Sequence, residues 1–218
     1  MAISGKHSWI ESSDVLSLFP TLVWKIQLRA EVHEPIDASA LALLESLRQG
    51  QPQLQSGEAW QSAHGLHRRE ELHVLCDGVT RASASVLQFL KSGEIGIEIT
   101  GCWANLYAPG AVHRAHSHPN NYLSAVYYVR TRPGADSINF HDPRSQAGII
   151  RPPVTELTAA NTDQVVVRVK NGTLLIFPSY LYHSVDANAS SETRVSQSFN
   201  LMFSTFSAAL SKPLWGDA

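Results

Sequence analysis

Between Ile95 and Phe206 the chain alternates short β-branched and aromatic runs with turn residues. IGIEITGCWANLY, YLSAVYYV, SINF, VVVRV, TLLIF and RVSQSFNLMFS are separated by Pro-Gly, Arg-Pro-Gly, Asp-Pro-Arg and Asn-Gly. Runs of that length bounded by such turns predict an all-β sandwich or barrel, and the lack of long helices between them argues against a parallel βαβ sheet. Upstream of Ile95 the periodicity changes. Val15 to Leu28 is apolar with a central Pro20, which predicts a strand after the proline on a sheet edge. Residues 38–48 place Leu41, Leu44 and Leu47 on one helical stripe, with Asp37 at the N-cap position and Gly50 as the stop. Gln51 to Gly65 is polar and reads as loop. A second helix is expected over Val79 to Lys91, with Val86, Leu87 and Leu90 as its apolar face and Gly93 ending it. The pattern therefore predicts a mainly β jelly roll with N-terminal helices packed on one outer face. The expected organisation is a single domain over 1–218, with a strand and helical extension over 1–94, a core over 95–206 and a tail over 207–218.

Composition narrows the function classes. At 218 residues with 44% hydrophobic and 17% charged positions, the chain can bury a core without disulfides or a structural metal. A formal charge of −2 and an isoelectric point near 6.5 supply no long-range field for nucleic acid or an anionic membrane, so neither is expected as a partner. Two cysteines, Cys76 and Cys102, without CxxC spacing favour a reducing compartment and two half-buried thiols. No leader pattern or run of about 18 apolar residues is present, so the chain is expected to be soluble and cytoplasmic. A homodimer is the default oligomer.

The candidate chemistry gathers around histidines. His113, His116 and His118 lie within six residues, after the turn-like Ala108-Pro109-Gly110. On an extended strand, positions i and i+2 share a face, so His116 and His118 can aim both imidazoles at one point, while His113 has the opposite parity. Imidazole is a common ligand of first-row metals, and two on one strand form a partial site that one distant residue completes. That residue is His183, just beyond the apolar strand TLLIF and Pro178. Eleven residues later Arg194 opens a strand whose alternation puts Arg194, Ser196, Ser198 and Asn200 on one face and Val195, Gln197, Phe199 and Leu201 on the other. A polar strand face led by arginine and serines fits a pocket for a carboxylate, which a guanidinium binds through two parallel charge-assisted bonds.

These residues resemble the iron(II)/2-oxoglutarate oxygenases of the double-stranded β-helix class. His116 matches the first metal-binding histidine, His183 the distal one, and Arg194 with Ser196 the Arg-x-Ser element that grips the far carboxylate of 2-oxoglutarate. The resemblance spans about Trp103 to Phe206. PGAVHRAHSHPNNYLSAVYYV and LIFPSYLYHSVDANASSETRVSQSF are similar to the aspartyl/asparaginyl β-hydroxylase branch. HSHPNNYLSAVYYV with INFHDPR and FPSYLYHSV resembles, more closely, a group of small bacterial 2-oxoglutarate oxygenases. The resemblance implies iron(II) as metal, 2-oxoglutarate as cosubstrate and dioxygen as oxidant. It further implies hydroxylation of a small-molecule or peptide substrate with release of succinate and carbon dioxide. It also implies that Asn105 and Tyr127, or its neighbour Tyr128, contact the cosubstrate.

The departure from the family pattern is His118, which stands where an acidic residue is usual. Either His118 is the third ligand, or the centre has two histidines with water, or Asp142 or Asp186 supplies a carboxylate. Trp103 reads as packing, and His64, His67 and His73 as residues of a surface loop or a lid. Two rival readings remain: a cupin-type three-histidine metalloenzyme that uses no 2-oxoglutarate, with Arg194 binding the substrate's own carboxylate, and a metal-dependent binding or sensor module. Substrate choice is expected to rest on loops such as Gln51 to Gly65 and Arg144 to Thr162.

Overall fold

The computed structural model describes residues 11–93, 95–144 and 152–207. The tail beyond 207 and positions 145–151 of the second specificity loop lie outside them. Two antiparallel sheets face each other. The larger has six strands in the order β1 (Trp24–Gln27), β8 (Thr173–Pro178), β5 (Leu123–Arg130), β10 (Arg194–Phe203), β3 (Ile97–Tyr107) and β2 (Ala59–Gln61). The smaller has four, in the order β4 (His113–His116), β9 (His183–Val185), β6 (Ser137–His141) and β7 (Gln164–Arg168). Strands distant in sequence sit side by side, and this is the jelly roll that the alternating runs predicted.

The large sheet is buried on both faces. Val126, Tyr128, Leu175 and Phe177 point inward and pack with Ile138, Phe140, Val169 and Leu181 in the sandwich interior. Their neighbours Ala125, Tyr127, Leu174 and Ile176 point outward, join Cys102, Leu106, Val195, Phe199 and Leu201, and are covered by α1 (Ala30–Leu47) and α2 (His73–Phe89). The expected one-sided helical layer is therefore present. A short third helix, α3 (Ser204–Ser207), follows β10.

Both long helices begin earlier than the sequence predicted. α1 starts at Ala30 and carries Pro35 at its sixth position, where the missing N–H costs the helix the bond that would run to the Glu31 carbonyl. Asp37 is not its N-cap. It is a buried helical residue whose carboxylate accepts the Tyr127 hydroxyl proton at 2.7 Å and a proton from His33 Nδ1 at 2.9 Å. The buried stripe runs through Ile36, Ala40, Leu43 and Leu44, with Leu41 and Leu47 at its flanks. In α2 the stripe extends back to Leu75 and Val79, and Leu90 lies at the exposed end. The polar segment read as loop contains β2, which pairs Ala59 to Gln61 against Tyr107 to Asn105. Three residues with one large apolar side chain give too short an alternation to recognise. The Asn171-Gly172 turn is as expected, with Gly172 at φ +75° and its space against the His33 ring leaving no room for a Cβ. Both cysteines are free and buried, deeper than the half-buried thiols expected. No helix among the described residues is long and apolar enough to cross a membrane.

Candidate active site

Pairing within the small sheet brings the histidines together. β4 and β9 run antiparallel with His116 directly opposite His183, and His183 also faces Phe140 on β6. The pairing from His113 to His116 spans three residues on β4 but only two, Val185 to His183, on β9. That extra residue is a β-bulge, and it overturns the parity assigned to His113: the His113 and His116 rings stack at 4.2 Å between centroids, 25° apart. His118 lies past the end of β4, so strand alternation does not place it. Its backbone N–H donates to the Ser179 carbonyl at 2.9 Å, which ties it to the β8–β9 loop that leads into His183.

The three ring contacts close a triangle. His116 and His183 lie 4.3 Å apart, His116 and His118 5.0 Å, and His118 and His183 5.2 Å between centroids. One nitrogen from each falls within 4.8 Å of the others. His116 Nδ1–H donates to the Arg114 carbonyl at 2.9 Å and His183 Nδ1–H to the Leu181 carbonyl at 3.0 Å. Both rings are thus held in the tautomer that leaves Nε2 with a free lone pair, the arrangement second-shell partners impose on metal-binding histidines. Burial keeps His183 and His118 neutral. It pushes His183 down to about 3, against the Leu181 carbonyl, and His118 down to about 4, with the neighbouring rings acting in the same direction. Phe177, at 4.9 Å from the His183 ring, and Phe140 form an apolar floor.

Among the described residues no carboxylate joins this group. Asp142, the alternative ligand, is turned to Arg144, which donates to both its oxygens at 2.9 and 2.7 Å. Asp186 accepts from Asn139 at 2.9 Å on the far side of the small sheet. The donor set is three imidazoles, which suit a borderline first-row divalent metal.

Arg194, Ser196 and Asn105 all stand on the inner face of the large sheet. Arg194 pairs with Tyr107, and Ser196 lies between Asn105 and Tyr128. Arg194 is 3% exposed, and among the described residues no carboxylate pairs with it. Its Nη1 donates to the Ser137 carbonyl at 3.0 Å, its Cζ sits 5.1 Å from the centre of the Tyr128 ring, and its Nε is buried without an acceptor. The Tyr128 hydroxyl touches the guanidinium yet makes no well-formed hydrogen bond, and burial pushes it up to about 12 against the pull of Arg194. A buried guanidinium and a buried phenol with unmet donors, on the sheet opposite the histidine-bearing strands, are what a ligand carboxylate would satisfy. Asn105 is held in place, accepting from Gln61 at 3.2 Å and donating to Ser198 at 2.9 Å.

One assignment is corrected. Tyr127 faces the helices, bonded to Asp37 in the outer core, and Tyr128 occupies the inward position beside Arg194. Alternation could not choose between them because β5 is buried on both faces. Trp103, read as packing, lies 5.6 Å from the His118 ring, and His64, read as a residue of a surface loop or a lid, stacks on it at 4.4 Å. Tyr107, which shares the parity of Asn105 on β3, bonds His113. That same parity was the signal available for Trp103.

Fold and site together define a double-stranded β-helix with a three-histidine group in its interior. Residues 101–200, a little under half of the chain, match the family described as "Putative 2OG-Fe(II) oxygenase". Three solved structures share the fold. The non-haem α-ketoglutarate-dependent carbocyclase SnoK from nogalamycin biosynthesis aligns with a TM-score of 0.61 at 15% identity, over 90% of this chain and 90% of its own. The epimerase SnoN, in complex with Fe3+, α-ketoglutarate and nogalamycin RO, gives 0.60 at 16% identity over 91% and 88%. HygX from Streptomyces hygroscopicus, with nickel and 2-oxoglutarate bound, gives 0.58 at 13% identity over 84% and 83%. No curated protein matches the sequence.

Proposed function

We propose that His116, His118 and His183 hold iron(II), and that Arg194, with Ser196 and Tyr128, binds the far carboxylate of 2-oxoglutarate, in an enzyme that hydroxylates a small-molecule or peptide substrate. The observation that carries the reading is the buried guanidinium of Arg194, which lacks a carboxylate partner among the described residues and stands on the inner face of the large sheet, in the sandwich interior that the histidine-bearing strands of the small sheet close from the other side. Iron(II) with 2-oxoglutarate supplies oxidative decarboxylation to succinate and carbon dioxide coupled to hydroxylation of a C–H bond. The chain's own contributions are distinct from that chemistry. The histidines would hold the metal through three imidazole nitrogens, leaving room for cosubstrate and oxidant to bind it. Arg194 fixes the cosubstrate at the end away from the metal. Phe140, Phe177 and Leu181 exclude water from the floor and strengthen every charge interaction above it. Asn105 and Ser198 hold the wall between the two anchors. We take the enzyme to act in the cytoplasm, where both thiols stay reduced.

Anaerobic titration of the protein with iron(II) and 2-oxoglutarate tests the reading. Chelation of the keto acid gives a weak visible charge-transfer band, and the Arg194→Ala variant is expected to need at least about tenfold more 2-oxoglutarate to reach it, the loss of one buried charge-assisted pair. Metal binding without the band would instead favour a three-histidine enzyme that takes no 2-oxoglutarate.

A further inference from the structure

The β4 bulge brings a fourth histidine into the site, and the metal reading leaves it without a role. His113 is not placed as a ligand: its Nδ1 is engaged with the Tyr107 hydroxyl at 2.7 Å, and it lies outside the group whose nitrogens converge. Its ring covers one face of His116 at 4.2 Å, while the Arg114 carbonyl holds the edge of that same ring through Nδ1. Tyr107 is itself fixed. It is 6% exposed, stands opposite Arg194 in register, and its backbone carbonyl accepts from the buried Asn188 amide at 2.9 Å. The chain Asn188, Tyr107, His113, His116 thus runs from a structural loop to a candidate ligand.

We propose that His113 is a positioning residue, braced by Tyr107, that sets the ring plane of His116 and so the geometry of the metal. The proposal rests on His116 being a ligand. A flat ring stacked on the ligand restricts rotation about its Cβ–Cγ bond, and the carbonyl bond to Nδ1 alone leaves that rotation less restrained. A bulge costs a strand its regular ladder at that point, and here its product is one re-aimed side chain, which is how bulges serve beside active sites. The order of the effect is set by outer-shell partners of metal ligands, whose loss lowers metal affinity about 10- to 100-fold.

Cobalt(II) is the probe, because its visible ligand-field bands report ligand geometry without turnover. Affinity and spectrum are compared for the wild type, His113→Ala, His113→Phe, Tyr107→Phe and the double variant Tyr107→Phe/His113→Ala, each checked for fold by circular dichroism. The expected result is an affinity loss of about tenfold or more in His113→Ala with shifted bands. Tyr107→Phe should shift the bands the same way, and the double variant should be no weaker than His113→Ala alone, since both changes break one bond. His113→Phe keeps the stacked ring and should retain most of the affinity. A wild-type spectrum and affinity in His113→Ala would overturn the proposal, and so would losses that simply add in the double variant. Should His113→Ala fail to fold, unchanged spectra in both His113→Phe and Tyr107→Phe would overturn it. If wild-type protein bound no cobalt(II), or His183→Ala still bound it fully, the metal site itself would be wrong and this inference would fall with it.

Discussion

Single residues decide the chemistry here, and their protonation is the first constraint. His183 and His118 are neutral in the folded protein down to about pH 3 and 4, because burial disfavours the imidazolium, whereas an unfolded histidine titrates near 6.5. Below that value the unfolded chain takes up protons that the native chain refuses, so stability falls with falling pH. Metal-free protein is therefore expected to lose thermal stability between about pH 6.5 and 4, and a midpoint flat across that window would contradict the burial of these rings. Replacing the most buried ligand, His183→Ala, should abolish metal binding in a calorimetric titration. His118→Ala should weaken it and His118→Asp should retain it, since aspartate restores the acidic residue common in this class. The convergence of His116, His118 and His183 and the place of Arg194 on a polar strand face were legible in the residues. The tautomers, fixed by the carbonyls of Arg114 and Leu181, were not legible, because nothing in the sequence says which way a carbonyl points.

At the scale of elements the limit of sequence reading is the strand buried on both sides. Alternation along β10 was readable because its two faces differ in polarity, Arg194, Ser196 and Ser198 against Val195, Phe199 and Leu201. Along β5 both faces are core, and the period of two carries no label for the inside, which is why Tyr127 and Tyr128 were confused. Their roles are separable by experiment. Tyr127→Phe removes the hydrogen bond to buried Asp37 and should cost about 1–3 kcal/mol of stability, measured by urea unfolding, while leaving 2-oxoglutarate affinity unchanged. Tyr128→Phe should do the converse, leaving stability nearly intact and weakening 2-oxoglutarate. Equal effects of the two substitutions on cosubstrate affinity would refute the assignment. Bulges are likewise invisible to a parity count: one extra residue between His113 and His116 reversed the face expected for His113. Helix starts were misjudged for a related reason, as Asp37 has the side chain of a cap but was drawn into α1 by its bond to Tyr127.

The whole molecule is two cores sharing one sheet. The inner core, around Phe140, Phe177 and Leu181, supports the site; the outer core, around Phe199, Leu201, Leu43 and Val79, joins the sheet to its helices. Substitution in the outer core should therefore act on stability before chemistry. Phe199→Ala is expected to cost about 3–5 kcal/mol, read from denaturant unfolding, with cobalt(II) affinity of the folded fraction unchanged. A metal affinity that fell in step with stability would show that the two cores are not separable. The general architecture followed from the run of short strands, but the second core did not, since its closure depends on which helix face meets which strand face. β10 is the element that belongs to both. Its even-numbered positions, Arg194 to Asn200, look into the reaction chamber, and its odd-numbered ones, Val195 to Leu201, look toward α1 and α2. One ten-residue ribbon thus holds two interleaved texts, and in descent they should be edited separately: odd letters changing in concert with the helices, even letters only when the chemistry itself changes hands.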